Sequence, residues 1–171
     1  MPGMKAPPHE GRENRDENEL GKPRMRASVD RASRIAFVVL VLAIVTLLAS
    51  GSLFAAGPVT IAAQVLAVLL MLWARVTFGV RSFHAGAAPT EGGLVTTGPY
   101  RRIRHPIYAS VLLFVLAGVA SHLSVVSVLL AALAAAGVWG RIAAEERLVI
   151  ERYPEYADYA ARTKRLVPFV F

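Results

Sequence analysis

"HPIYASVLLFVLAGVASHLSVVSVLLAALAAAGVWG", residues 105–140, contains no lysine, arginine, aspartate or glutamate. The run is too long for one membrane-crossing helix of about 20 residues and short for two. The polar "SHLS" at 121–124 divides it where serine and histidine side chains suit a turn. The economical reading is a tight helical hairpin whose arms are roughly 16 to 18 residues each. A hairpin returns the chain to the side it left. "GPYRRIR" (98–104) and "RIAAEERLVIERY" (141–153) therefore face each other at one membrane surface.

Toward the N-terminus the same logic finds two more apolar runs. Residues 35–56, "IAFVVLVLAIVTLLASGSLFAA", are uncharged and long enough to cross. After Pro58, which suits the first turn of a helix, "VTIAAQVLAVLLMLWA" (59–74) forms the second crossing and continues toward Gly79. The predicted fold is thus all-α and polytopic: four transmembrane helices, the last two a tight hairpin, with a cytoplasmic helical extension. That extension runs on from the fourth helix until Pro154, and "EYADYAARTKR" (155–165) follows as a short amphipathic surface helix.

Charge supports this topology. Eight of the 19 lysines and arginines lie in residues 1–34, five in 75–104 and six in 141–165, with none in 35–74 or 105–140. All three basic blocks fall on one side of a four-span chain, so the positive-inside rule places both termini in the cytoplasm, with a bacterial inner membrane as the expected location. Residues 1–34 are polar, with glycine, proline and charge but little apolar periodicity, and are expected to form a disordered basic tail. Residues 35–91 hold two helices and the first part of a loop-like segment at 81–97, and 92–171 hold the site-bearing region. A net charge of +7 confined to blocks is a membrane signal, and no nucleic-acid partner is expected.

The chain has no cysteine, which excludes disulfides, thiolate metal sites and thiol nucleophiles. The four histidines, His9, His84, His105 and His122, show no ligand-like spacing, so no metal is expected. In "AAEER" the 100° step separates Glu145 from Glu146. Glu146 shares its face with Ile142, Val149, Ile150 and Tyr153, whereas Glu145 lies with Arg141 and Leu148. A carboxylate on an apolar face needs a partner, and His105, Arg104 or a cationic ligand are available. The bland alternative is a solvated Arg141–Glu145 pair, with Glu146 reaching water and "RHPIY" serving as a basic, aromatic belt.

Taken together, "GPYRRIRHPIYAS" (98–110) and "EERLVIERYPEYADYAARTKRLVP" (145–168) resemble the isoprenylcysteine carboxyl methyltransferase and phospholipid methyltransferase superfamily in its small bacterial form. The resemblance covers roughly residues 92–168 and implies S-adenosylmethionine-dependent methyl transfer. The acceptor would be lipophilic or amphiphilic (a carboxylate, amine or thiol) and would reach the cytoplasmic face from the membrane lipid. By the same resemblance Gly98, Pro99, Tyr100, Arg104, His105, Pro106 and Tyr108 build the cofactor cleft, and Glu145 and Glu146 close it. His105, Glu146 and Arg104 carry the catalytic assignment: binding the cofactor's charged groups and, for an ammonium acceptor, removing its proton. Ser110 and Pro154 depart from the pattern, each standing where glycine is frequent. Two other readings remain: a nicotinamide-dependent membrane reductase of sterol-reductase type, and a non-enzymatic lipid-binding membrane protein.

Overall fold

Two prolines and a serine set three helix starts. Pro58 and Pro106 each sit in the first turn of a helix, where the missing N–H costs nothing, and Ser124 caps another by exchanging hydrogen bonds with Ser127. The computed structural model describes residues 10–79 and 93–168, with side chains from Arg24 onward. Its elements are α1 (Glu10–Ala49), α2 (Pro58–Phe78), a 3-10 turn (Gly98–Arg101), α3 (Pro106–Ser121), α4 (Val125–Arg152) and α5 (Tyr156–Arg162). Among the described residues there is no strand, only a single parallel bridge between Ile103 and Lys164.

Residues 10–34, expected as a disordered tail, are drawn as helix continuous with the apolar half of α1. Extending an existing helix avoids the cost of nucleation. The extension also has something to pack on, since Val29 is buried with Ala144 and Leu148 of α4. Residues 1–9, with His9, lie outside the described residues, as do residues 80–92, which hold His84 and most of the expected 81–97 loop.

α1 also stops at Ala49, short of the expected Ala56. Gly51, at φ +70°, turns the chain, and residues 52–56 fold back over the bundle end. Gln64 of α2 ties this turn to α3 with three hydrogen bonds. Its Oε1 accepts from Ala55 N at 3.0 Å, and its Nε2 donates to the carbonyls of Leu53 and Phe114 at 2.8 and 3.0 Å.

α1 packs along α4 and α2 along α3, while α3 and α4, joined by His122–Ser124, share a shorter contact. The core centres on Leu40, Leu47, Val115, Val119, Val138 and Ile142. Small residues permit the closest approaches. A Cβ on Gly118 would lie 2.0 Å from the Leu53 carbonyl oxygen, and one on Gly137 would lie 2.8 Å from that of Ala36. Three helical segments are long and apolar enough to cross a membrane, Arg24–Ala49, Pro58–Phe78 and Val125–Arg152, and α3 is a shorter apolar helix of 16 residues. Large apolar side chains such as Leu42, Leu48, Leu66, Trp73 and Val76 point outward, as a lipid solvent allows.

Candidate functional site

The site lies at the bundle end opposite the Gln64 turn and begins with a crossing of distant segments. Arg104 N donates to the Lys164 carbonyl (2.7 Å), His105 N to the Arg165 carbonyl (3.0 Å), and Lys164 N to the Arg102 carbonyl (3.1 Å). The chain after α5 is thereby laid alongside the segment entering α3. Pro154 ends α4 as expected, so that α5 can turn back over the bundle.

Glu146 sits inside this crossing, 8% exposed. Its Oε1 accepts from Arg104 Nε at 2.9 Å and lies 3.3 Å from both His105 Nε2 and the Tyr156 hydroxyl. Its Oε2 accepts from Arg165 Nη2 at 2.9 Å and Nε at 3.1 Å. Arg104 also donates through Nη1 to the carbonyls of Ala160 and Thr163, tying α5 to the carboxylate. Burial, and then the neighbouring Glu146 charge, pushes the Tyr156 phenol well above its usual range, which keeps its hydroxyl a donor.

Glu145 keeps different company. Its Oε1 accepts from the Tyr108 hydroxyl and from Arg141 Nη2 at 2.9 Å, while its Oε2 lies 3.9 Å from His105 Nδ1. His105 thus stands between the two carboxylates. The Arg141–Glu145 pair has the expected helical spacing but is not solvated, because Arg141 is only 4% exposed. The helical extension of α1 covers it, with Ser33 Oγ accepting from Arg141 Nη1 at 2.8 Å.

The sequence-derived residues therefore separate into two groups. Arg104, His105, Tyr108, Glu145 and Glu146 converge. Gly98, Pro99 and Tyr100 instead form packing between α2 and α5: Gly98, at φ +56°, leaves no room for a Cβ beside Thr77, Tyr100 stacks 5.5 Å from Phe78, and its carbonyl accepts from Tyr159. Pro106 is buried at the start of α3, and Ser110, also buried, bonds to the Ile107 carbonyl. On α4, Glu146 and Ile142 face inward as expected, whereas Ile150 is 51% exposed. Ser33, Arg165 and Tyr156 were not foreseen. The last two lie within the resembling stretch, but residue type alone did not set them apart from surface positions.

The profile described as phospholipid methyltransferase matches residues 52–156, more than half of the chain. The cobalt-zinc-cadmium resistance protein CzcN of Cupriavidus metallidurans is 41% identical over 78 residues, 44% of this chain and 35% of that protein. The nickel-cobalt-cadmium resistance protein NccN of Alcaligenes xylosoxydans xylosoxydans is 36% identical over 87 residues, 50% of this chain and 40% of that protein. The chain thus spans less than half the length of either relative. No solved structure matches it.

Proposed function

Because the chain belongs to the phospholipid methyltransferase family, we propose that it is a membrane methyltransferase that takes its methyl group from S-adenosylmethionine. The acceptor is a lipophilic or small amphiphilic molecule carrying an amine, carboxylate or thiol, which enters from the bilayer. The observation that carries this reading is the meeting of Arg104, His105, Glu145 and Glu146 at one end of an apolar bundle.

The donor set fits the cofactor's chemistry. S-adenosylmethionine presents a carboxylate, an ammonium, a sulfonium and ribose hydroxyls, and the site offers cations and carboxylates side by side. Arg104 and His105 suit the carboxylate, Glu145 and Glu146 suit the cations and hydroxyls, and Tyr108 lends an aromatic face. When bound, the cofactor supplies an electrophilic methyl group, open to in-line attack. The protein's part is to orient the partners and exclude water, and no protein nucleophile is required. For an ammonium acceptor, His105 and Glu146 are the residues placed to hold the departing proton.

We place α3 as a fourth crossing, with both chain ends and the site on the cytoplasmic face of a bacterial inner membrane. This rests on the charge blocks and on the short, uncharged stretch at 105–140. The relatives' names refer to metal resistance. We assign this chain's contribution in such a setting to methylation, supported by the family match.

Calorimetric titration of detergent-purified protein tests the reading. S-adenosylmethionine and S-adenosylhomocysteine both bind, a nicotinamide cofactor does not, and His105→Ala and Glu146→Gln each weaken binding about tenfold or more. A folded sample that binds neither adenosyl compound overturns it.

A further inference from the structure

Glu146 holds more positive charge than it needs. Two guanidinium groups bear on its one carboxylate: Arg104 on Oε1 at 2.9 Å, and Arg165 on Oε2 through Nη2 at 2.9 Å and Nε at 3.1 Å. His105 Nε2 and the Tyr156 hydroxyl each lie 3.3 Å from Oε1. The acceptor sites of the carboxylate are thus taken, and a ligand cation can meet it only where a resident group leaves.

The two arginines differ in how readily they can leave. The Arg104 side chain is 9% exposed, and its Nη1 also donates to the carbonyls of Ala160 and Thr163, so it is fixed on several sides. The Arg165 side chain is 38% exposed. Among the described residues it hydrogen-bonds to Glu146 alone, with its guanidinium 5.2 Å from the centre of the Trp139 ring. Its backbone is held, because its carbonyl accepts from His105 N at 3.0 Å. The side chain can therefore swing while the strand-like crossing stays in place, and an ion pair this exposed is weak enough to exchange.

We propose that Arg165 is a displaceable stand-in for a ligand cation. Its guanidinium fills the seat on Glu146 Oε2 that the ammonium of S-adenosylmethionine takes, and it turns out to water when the cofactor binds. The proposal rests on the S-adenosylmethionine reading above. The exchange replaces one cation by another, so the buried carboxylate is neutralised in both states and the empty site never leaves it bare. Arg165 also becomes a specificity-determining residue. It lowers the apparent affinity of any ligand that uses this seat by the fraction of time the seat is free, and leaves untouched a ligand that does not.

The test uses four probes: S-adenosylmethionine, S-adenosylhomocysteine, decarboxylated S-adenosylmethionine, which keeps the ammonium without the carboxylate, and 5′-methylthioadenosine, which lacks both. Each is titrated calorimetrically into wild type, Arg165→Ala and Arg165→Lys. In Arg165→Ala the three ammonium-bearing compounds bind about tenfold tighter, and 5′-methylthioadenosine is unchanged. Arg165→Lys, which retains a cation, binds all four as wild type does. A residue that merely supported the fold, or one that gripped the ligand's carboxylate, would give weaker binding instead. If Arg165→Ala cannot be purified folded, Arg165→Met, similar in length and uncharged, carries the same expectation. Movement is read separately. The chain has two tryptophans, so Trp73→Phe leaves Trp139 as the reporter, and its emission shifts when S-adenosylhomocysteine draws Arg165 off its ring. The shift is lost in Arg165→Ala. Weaker or unchanged binding to Arg165→Ala, equal tightening of all four compounds, or an unmoved Trp139 emission overturns the displacement and leaves the cofactor assignment standing. Failure of wild type to bind either S-adenosylmethionine or S-adenosylhomocysteine overturns both.

Discussion

Glu145 and Glu146 are adjacent in the chain, and a single 100° step of helical phase gives them separate partners. Arg104 balances Glu146 while its own side chain is 9% exposed, so removing the carboxylate charge leaves a guanidinium buried against an amide. Glu146→Gln is expected to cost about 3–5 kcal/mol of stability, read by denaturant unfolding in detergent. The tyrosines around α5 give a pH signature. Burial pushes the Tyr159 hydroxyl up to about 12, against the opposing pull of Arg104 and of a hydrogen bond with Thr163. Below about 10 neither the folded nor the unfolded chain ionises this phenol, so it adds no pH dependence there. Above that value the unfolded chain loses the proton first, and stability falls as pH rises toward 12. Tyrosinate absorbance followed beside unfolding should show ionisation delayed until the fold gives way. At this scale the arginine-histidine-proline run and the double glutamate were legible because both are dense and local. Arg165 was not, because an arginine on a polar tail looks the same whether it ends in water or on Glu146. Gly98 and Tyr100 were assigned to the cofactor cleft by the resemblance, and their packing against α2 and α5 could not be read from the motif.

Helix ends were the readable part of the elements. Pro58, Pro154 and the polar turn at 121–124 mark boundaries by chemistry that needs no tertiary partner, and the structure places helix limits beside each. The N-terminal extension of α1 was missed for the complementary reason. Its polar composition gives little cause to fold alone, and the α4 face that receives Val29 and Ser33 is not visible from that stretch. The same omission made Arg141 look solvated. Packing at glycines yields a sharp expectation. Gly118→Ala drives a methyl into the Leu53 carbonyl, and backbone cannot step aside as a side chain would. A loss of about 1–3 kcal/mol is expected, with a lower melting temperature in detergent. Gln64→Leu keeps much of the volume but abandons two bonds to the 50–57 turn and one to the Phe114 carbonyl of α3, and the resulting opening should appear as faster amide exchange at Leu53–Ala56.

For the whole molecule, the native absence of cysteine makes topology directly measurable, since any introduced thiol is unique. Arg101→Cys, ahead of α3, and Leu123→Cys, in the α3–α4 turn, should react with an impermeant maleimide from opposite sides of oriented vesicles. Labelling of both from one side would remove α3 as a crossing. The sequence could carry topology this far because charge blocks and apolar runs are long-range averages that survive ignorance of contacts. It could not show that α1 belongs to α4 and α2 to α3, which depends on where small residues let backbones meet. The pairing of Lys164 and Arg165 with the residues entering α3 has a further consequence, in time rather than space. Arg165 follows Glu146 by 19 residues. When α4 leaves the insertion machinery, the second of its glutamate's two arginines is still inside the ribosome. The nascent protein must therefore hold Glu146 through Arg104 alone until Arg165 emerges, and a chain stalled before that point would leave the other carboxylate oxygen without its arginine.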